Sequence, residues 1–388
     1  MRKECVTGAM GKLESWNTIT LFCILIFGFT AATFIKPDTE YSENENRTLA
    51  QMPDVSAETV LDGSFEEDYE KYLTDQFVGR DGWIGAKTKV ELALLRKESK
   101  DIYFAADDYL IEKHTGVFDT DLAKRNAAAL GQFVSQYTET FGEDHMTVLL
   151  VPNAVDILTD KLPAYAPAGK GGQYLEGISQ GISEKVWLDA GEVLNSHASE
   201  DIYYRTDHHW TTRAAFYVYQ AWAKKQGFAV PEASDYLVET ATESFEGTIQ
   251  SKLGIDAHPD TIELYLQKDD PLYTVQKNGA EDVSYSVYDR TALDTKSKYD
   301  VFFGGNQAQV TIRTHAGNGR SILVLKDSYA HCFVPFLLES FDRIDMVDLR
   351  YYNQKLSDLI VQEDYTDVLV LYNASGFAED AGVSRLLY

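Results

Sequence analysis

The hydrophobic and polar positions divide the chain into an apolar N-terminal stretch and an alternating series of helices and strands. Residues 15–35 (SWNTITLFCILIFGFTAATFI) carry no charge and are long enough for a helix to cross the roughly 30 Å hydrocarbon layer of a bilayer. From residue 121, stretches with helical spacing alternate with short apolar runs such as TVLLV, SILVL and DVLVLYN, which are typical of strands. Helices that alternate with strands imply right-handed crossovers and a parallel sheet, so we expect an α/β fold.

Two segments depart from this alternation. Residues 36–60 are polar, with prolines at 37 and 53, and predict an extended tether. Residues from about 230 to 318 combine short strand patterns with turn signals such as Asn278-Gly279, which predicts a β-rich insertion. We therefore expect one body at residues 61–388, which begins with a helical stretch broken at Gly79 and contains this insertion.

The apolar stretch at residues 15–35 also predicts where the body lies. Arg2, Lys3 and Lys12 precede it, so the positive-inside rule keeps residues 1–14 in the cytoplasm and places the body outside the cytoplasm. A cleaved signal peptide is the alternative, because TAATF contains small residues, but it has no clear A-x-A site and the stretch is long for such a peptide. We favour an uncleaved, single-pass anchor in the cell membrane.

Charge and cysteine content exclude some classes of function. The formal net charge is −26, and such a surface repels nucleic acid, which we exclude as a partner. Cys5 and Cys23 lie before or within the apolar stretch, which leaves Cys332 alone in the body. An exported body would therefore have no internal disulfide.

Four polar residues follow the apolar runs of the predicted sheet. They are Asn153, Ser328, Arg350 and Asn373. Parallel sheets bind and react at the carboxyl ends of their strands, so these side chains are candidates for a common site. Each could instead be a turn residue or a helix cap. Ser328 is the strongest candidate, because a serine that begins a helix also receives the N-terminal amides of that helix.

The segment YRTDHHWT contains an acid and two histidines in a chain with only eight histidines. A serine hydroxyl becomes a nucleophile when an imidazole takes its proton and a carboxylate orients that imidazole. Asp207, His209 and Ser328 supply these three groups. If the segment is extended, Asp207 and His209 share one face and His208 points to the other, where it would support the site.

A metal site is the alternative explanation for the paired histidines. Adjacent histidines on a strand point apart, and no further cluster of metal-ligand residues has suitable spacing. We therefore expect neither a metal nor another cofactor. His331, three residues after Ser328, could face the nucleophile, but a histidine beside Cys332 and Phe333 is more often packed in the core.

A serine nucleophile also needs donors for the oxyanion that forms during acyl transfer. The backbone amide of Ser328 or Tyr329 is one candidate. The segment FFGGN offers others through Gly305 and the side chain of Asn306, although it could equally be an ordinary turn.

The motifs NENRTLAQMP, VPN, TDHHWT and LKDSY occur in this order along the chain. With them the chain resembles the SGNH hydrolase-like proteins and, more closely, the DHHW family, which looks related to the periplasmic alginate O-acetylation proteins. The resemblance implies a three-layer domain around a central, mostly parallel sheet. It also implies the triad of Asp207, His209 and Ser328. The chain departs from the common pattern at Lys326, where many SGNH enzymes have glycine, and at His208 between the acid and the base.

The resemblance implies an extracytoplasmic O-acetyltransferase that acts on a cell-surface or cell-wall polysaccharide. A membrane-bound O-acyltransferase would supply the acetyl group. Arg350 and Asn373 would hold substrate, together with Trp210 and Tyr329 as exposed aromatic residues, although core packing of Trp210 is equally consistent. Two alternatives remain, an acetylesterase with the same triad and a non-catalytic polysaccharide-binding scaffold.

Overall fold

A computed structural model describes residues 2–42, 47–268 and 272–388, with the backbone alone for residues 2–15. The chain forms two units by its internal contacts, Met1–Val90 and Glu91–Tyr388.

The first unit contains the N-terminal helix and the segment that follows it. Its elements are α1 (Arg2–Ile35), β1 (Tyr41–Ser42), β2 (Arg47–Thr48), α2 (Ala57–Leu61), α3 (Ser64–Gln76) and α4 (Arg80–Ala93). Within α1, Trp16–Ile35 is long and apolar enough to cross a membrane, as a membrane anchor or a signal sequence would be. Gly79 has a φ of +69° between α3 and α4, which explains the break expected at this residue.

Described residues of the segment from residue 36 to residue 60 contact α3. The guanidinium of Arg47 donates two hydrogen bonds to the carboxylate of Asp75, over 2.6 and 2.8 Å. The Ala50 N–H donates to the same carboxylate over 2.9 Å. The side chain of Gln76 pairs with the backbone N–H and carbonyl of Thr39. The arginine of the NENR motif therefore serves to attach this segment to a helix.

The second unit contains the α/β domain. Its helices are α5 (Asp121–Phe141), α6 (Ala154–Ile157), α7 (Gly171–Ser179), α8 (Ala190–Ser196), α9 (Thr212–Lys225), α10 (Thr248–Leu253), α11 (Leu356–Glu363) and α12 (Ala374–Glu379). Its strands are β3 (Glu98–Ser99), β4 (Ile102–Phe104), β5 (Leu110–Glu112), β6 (Met146–Val151), β7 (Tyr236–Phe245), β8 (Asp260–Gln267), β9 (Thr274–Lys277), β10 (Val283–Ser284), β11 (Gln309–Arg313), β12 (Ser321–Lys326), β13 (Arg343–Val347) and β14 (Asp367–Asn373).

The main sheet has seven strands in the order β10-β9-β11-β13-β12-β14-β6. The four strands β13, β12, β14 and β6 are parallel, and β11, β9 and β10 extend them as antiparallel neighbours. The predicted α/β class is confirmed. The β-rich insertion divides in two. Among the described residues β7 and β8 pair with each other alone, whereas β9 to β11 join the main sheet by antiparallel backbone pairing, with Val310 and Ile312 of β11 buried in the core.

Alternating residues of the central strand face two apolar layers. Val324 of β12 belongs to the cluster that includes Ala215 and Trp222 of α9, while Leu323 belongs to the cluster that includes Phe133 of α5. Because successive side chains of a strand point to opposite faces, this pattern gives the three layers helix, sheet and helix.

The chain after β12 differs from expectation. The apolar segment that follows Ser328 predicts one helix, but the structure has two 3₁₀ turns, Ser328–Cys332 and Val334–Leu337. Pro335 explains the difference, because proline lacks an N–H donor and its ring clashes with the preceding turn of an α-helix. The serine therefore lies on a tight turn directly after the sheet.

Candidate active site

The loop that contains the acid and the base is a bend held between two bridged residues. Tyr203 and Trp210 form an antiparallel bridge, and the Tyr204 N–H donates to the carbonyl oxygen of His209 over 3.2 Å. The expectation that this segment is extended is therefore wrong. The bend still turns the side chains of Asp207 and His209 toward each other.

Asp207, His209 and Ser328 form a continuous chain of hydrogen bonds. His209 Nδ1 lies 2.5 Å from Asp207 Oδ1, and His209 Nε2 lies 2.7 Å from Ser328 Oγ. An ionised carboxylate only accepts hydrogen bonds, so His209 carries its proton on Nδ1 and accepts the serine hydroxyl at Nε2. This is the tautomer that a base needs in order to take the proton of a serine hydroxyl.

The charge of Asp207 is stabilised although the side chain is buried. Burial alone would raise the pKa of this carboxyl, but the neighbouring His208 and His209 and the hydrogen bonds from His209 and Thr248 lower the pKa well below its ordinary value. The acid is therefore ionised at neutral pH and can stabilise an imidazolium on His209.

The β-rich insertion supplies residues that sequence reasoning missed. The backbone N–H and the hydroxyl of Thr248 donate to Asp207 Oδ2 over 2.8 and 3.0 Å. Gly247 lies so close to the acid that a Cβ atom added to it would be 2.3 Å from the Cβ of Asp207. No local pattern marks these residues, because the close approach involves segments 41 residues apart.

Tyr299 of the insertion also contacts both His209 and Ser328. Its ring stacks on the imidazole of His209 with a centroid distance of 3.8 Å. Its hydroxyl donates to the carbonyl oxygen of Ser328 over 3.2 Å. The insertion therefore holds the ring plane of the base and the position of the serine loop.

The serine loop is fixed by Asp327, which precedes the nucleophile. Asp327 Oδ1 accepts from the Tyr329 N–H over 2.9 Å, and Oδ2 accepts from the backbone and side chain of Asn373 over 2.8 and 2.6 Å. Burial raises the pKa of Asp327 to about 6. The Ser328 N–H has no hydrogen-bond partner within the described residues, so this amide remains available.

Ser328 lies in an open cleft of about 500 Å³ with a mostly polar wall. Asn153, Ser328, Arg350 and Asn373 all line this cleft. The four residues that follow the apolar runs are thus brought to one place, as expected for the carboxyl ends of parallel strands. The cleft is also lined by His208 and by Glu112, His114, Lys252 and Glu379, four titratable side chains that sequence reasoning missed.

Arg350 is held in the wall of the cleft by buried charges. Its Nε and Nη2 atoms donate to the two oxygens of Asp348 over 2.8 and 2.6 Å. Lys326 Nζ, also buried, donates to Asp348 over 3.0 Å and lies 2.9 Å from His331 Nε2. The lysine that departs from the SGNH pattern therefore pairs with His331, which does not contact Ser328.

Trp210 and Tyr329 are fully buried, so the expectation that they contact substrate as exposed aromatic residues is wrong. The indole Nε1 of Trp210 donates to the carbonyl oxygen of Tyr329 over 2.9 Å. The Tyr329 hydroxyl donates to the carbonyl oxygen of His208 over 2.6 Å. The two side chains join the histidine loop to the serine loop, and the Tyr329 amide is already bound to Asp327.

The FFGGN segment does not supply a backbone oxyanion donor. The Gly305 N–H donates to the carbonyl oxygen of Phe302 over 3.2 Å, so the oxyanion role expected for Gly305 is wrong. Asn306 is exposed, and its Oδ1 accepts from Arg350 over 3.3 Å. The segment is a turn that places Asn306 beside Arg350.

Asp207, His208 and His209 also satisfy the distance requirement of a metal site, since one ligand atom from each lies within 4.8 Å of the others. Both carboxylate oxygens of Asp207 already accept hydrogen bonds. Both ring nitrogens of His209 also have partners. A metal ion would have to displace these contacts, so the donor set fits a hydrogen-bonded triad better.

The family described as "DHHW protein" matches residues 142–347. The chain belongs to the DHHW family. The matched region contains Asp207, His209 and Ser328 and runs from just before β6 to the end of β13. By sequence, no protein with a curated description matches this DHHW chain.

Solved structures are similar to this DHHW protein, and those of the Eubacterium siraeum and Bacillus cereus proteins support its fold. A DHHW family protein from Eubacterium siraeum is 25% identical, with a TM-score of 0.59, over 74% of this chain and 95% of its own. Bacillus cereus PatB1 is 22% identical, with a TM-score of 0.60, over 71% of this chain and 97% of its own. The O-acetyltransferase domain of Pseudomonas putida AlgJ is 14% identical, with a TM-score of 0.42, over 72% of this chain and 92% of its own.

Proposed function

We propose that this DHHW protein is an extracytoplasmic O-acetyltransferase that transfers acetyl groups to hydroxyl groups of a cell-surface or cell-wall polysaccharide. The observation that carries the proposal is the hydrogen-bonded chain from Asp207 through His209 to Ser328, which ends in an open polar cleft. The resemblance of the motifs to the alginate O-acetylation proteins supports transfer rather than hydrolysis.

In the first step, Ser328 Oγ attacks the carbonyl carbon of an acetyl donor. His209 Nε2 takes the hydroxyl proton, and the resulting imidazolium is stabilised by the Asp207 carboxylate. When the tetrahedral intermediate collapses, the bond to the leaving group breaks and His209 gives its proton to the leaving oxygen. The product is an acetyl ester of Ser328.

In the second step, a hydroxyl group of the acceptor attacks the acetyl ester. His209 takes the proton of this hydroxyl and returns it to Ser328 Oγ as the serine leaves. Both tetrahedral intermediates place negative charge on the former carbonyl oxygen. The unpartnered Ser328 N–H supplies one donor for that oxygen.

The surroundings of the triad suit this reaction. The cleft is lined by groups that donate and accept hydrogen bonds, as recognition of a polyhydroxylated acceptor requires. The N-terminal apolar helix would keep the body at the outer face of the membrane. There a membrane-bound O-acyltransferase partner would deliver the acetyl group.

The test uses the full chain in detergent micelles with p-nitrophenyl acetate as donor. We expect a rapid release of p-nitrophenol and an adduct with the mass of one acetyl group, both absent in Ser328→Ala and strongly reduced in His209→Ala. Addition of an oligosaccharide acceptor should speed deacetylation and produce acetylated saccharide.

Other outcomes would change the assignment. An adduct that is lost only to water, whatever saccharide is added, would make the protein an esterase. A folded wild-type protein that forms no adduct and releases no p-nitrophenol would refute an acetyl-serine mechanism and favour a binding role.

A further inference from the structure

His208 is connected to the same carboxylate as His209, but through a threonine. His208 Nδ1 lies 2.9 Å from Thr248 Oγ1, and Thr248 Oγ1 lies 3.0 Å from Asp207 Oδ2. A threonine hydroxyl has one proton, and the carboxylate is the stronger acceptor because it is charged. Thr248 therefore donates to Asp207 and accepts from His208, which places the His208 proton on Nδ1.

The other ring nitrogen of His208 remains open. The side chain of His208 is 33% exposed and lines the same cleft as Ser328. Because Nδ1 is bound to Thr248, Nε2 is the ring nitrogen that is left to bind a ligand in the cleft. Within the part of the chain that the structure describes, Nε2 has no hydrogen-bond partner.

This nitrogen is an acceptor at neutral pH. Burial, together with the charge of His209, lowers the pKa of His208 to about 4. The imidazole is therefore neutral, and its Nε2 carries a lone pair. A hydroxyl group of a ligand is a donor of suitable strength for this nitrogen.

The two imidazoles are close neighbours, with ring centroids 4.0 Å apart. His209 Nε2 points to Ser328, where the reacting hydroxyl of the acceptor must bind in the second step. Adjacent hydroxyl oxygens on a sugar ring are separated by about the length of a hydrogen bond. An acceptor hydroxyl at His209 would therefore bring its neighbour toward His208.

We propose that His208 Nε2 accepts a hydrogen bond from the hydroxyl group next to the one that is acetylated, so that the enzyme selects acceptors with a vicinal diol. This inference rests on the proposed transferase function. His208 is then a specificity-determining residue that contacts the acceptor, while His209 moves the proton.

The wall around His208 has the chemistry of a hydroxyl-binding surface. Lys252 follows Thr248 by one turn of α10 and pairs with Glu112 over 2.5 Å. Both side chains line the cleft. A paired ammonium and carboxylate donate and accept hydrogen bonds at little net charge, which suits a neutral polyol.

The decisive variant is His208→Asn. The side-chain amide of asparagine can replace the Nδ1–H donor to Thr248, but it places nothing at the position of Nε2. The full chain in detergent micelles is first acetylated with p-nitrophenyl acetate. The acetyl-enzyme is then offered a methyl pyranoside with a vicinal diol or its monodeoxy analogue, which lacks the neighbouring hydroxyl.

We expect His208→Asn still to form the acetyl-enzyme, and transfer is measured from that preformed acetyl-enzyme so that a change in the rate of acetylation does not enter the comparison of acceptors. For transfer to the diol, the kcat/KM of His208→Asn should fall at least tenfold, to the value that the wild type shows with the monodeoxy acceptor. For transfer to the monodeoxy acceptor, the kcat/KM of His208→Asn should differ less than twofold from that of the wild type. His208→Gln, whose amide oxygen reaches the Nε2 position as an acceptor, should recover part of the preference for the diol.

Equal losses with both acceptors, or no loss with either, would overturn the role of His208 while leaving the transferase function intact. A wild-type protein that is acetylated but transfers the acetyl group equally well to both acceptors would also overturn the role of His208. A wild type that forms no acetyl-enzyme would instead refute the proposed function, and with it this inference.

Discussion

Replacement of Asp207 by asparagine tests whether the carboxylate orients and stabilises the base. The carboxylate accepts two hydrogen bonds from His209 and two from Thr248. An asparagine amide has only one oxygen, so in either orientation an NH₂ group faces N–H donors. If the NH₂ faces His209, the proton of His209 must move to Nε2, which then cannot accept the Ser328 hydroxyl.

The size of the effect follows from the loss of one charge beside the base. His209 Nδ1 lies 2.5 Å from Asp207 Oδ1. With charge centres about 4 Å apart and an effective dielectric constant of about 20, the pairing with an imidazolium contributes about 4 kcal/mol. This corresponds to about 1,000-fold in rate. With the tautomer change added, we expect Asp207→Asn to slow acetylation of Ser328 by about 1,000- to 10,000-fold.

The assay is the initial burst of p-nitrophenol from p-nitrophenyl acetate with the full chain in detergent micelles. Asp121→Asn is the matched control, because Asp121 is exposed at the start of α5 and pairs only weakly with Lys124 at 3.4 Å. It should leave the burst rate unchanged. A folded Asp207→Asn variant with a burst rate within tenfold of the wild type would refute the role of Asp207.

Two further predictions concern the contacts of the histidine loop. Gly247→Ala should lower the free energy of unfolding by about 1–3 kcal/mol, because the new Cβ collides with Asp207, and should slow acetylation of Ser328 more than tenfold. The control is Gly131→Ala in α5, where a Cβ meets open space. This variant should raise the free energy of unfolding by about 0.4–1 kcal/mol without loss of activity. Chemical denaturation and the burst assay check both variants, and equal effects of the two alanines would contradict the importance of the close approach of Gly247 to Asp207. Because burial lowers the pKa of His208 from 6.5 to about 4, the unfolded chain binds a proton in this range that the folded chain does not, so the wild type should lose stability as pH falls from 6.5 to about 4. The thermal midpoint of His208→Asn should fall less than that of the wild type across this pH range. Parallel pH profiles of the two proteins would disprove the lowered pKa of His208.

The fold class and the candidate residues of the triad could be named from local patterns, and the structure brings these three residues together. The strand patterns of β6, β12, β13 and β14 alternate with helical patterns, which predicts a parallel sheet. Because the carboxyl ends of parallel strands lie at one edge of the sheet, Asn153 and Ser328 are expected there together. The predicted pairing of His209 with Asp207 is found although the segment is a bend and not the expected extended strand. Two residues so near in sequence can meet in either conformation.

The remaining features of the site depend on contacts between distant segments. Thr248, Tyr299 and the cleft wall at Glu112 and Lys252 belong to segments without a recognisable motif. Thr248, Lys252 and Tyr299 come from the insertion and Glu112 comes from β5, so their roles follow from contacts between distant segments. The expectation that Trp210 is exposed is also wrong. An aromatic residue beside His209 could be exposed or buried, and packing against Tyr329 buries this one.

The sequence by itself determined an apolar stretch long enough to cross a membrane, the α/β class and the residues proposed as acid, base and nucleophile, since these follow from composition, periodicity and spacing. The tertiary structure decided which groups meet: it places His209 beside Ser328, 119 residues away, and Thr248 beside Asp207. It also decided that Trp210 is core and that His208 faces the cleft. Hydrogen bonds and burial depend on distances in space, and the order of residues constrains those distances only after the chain has folded.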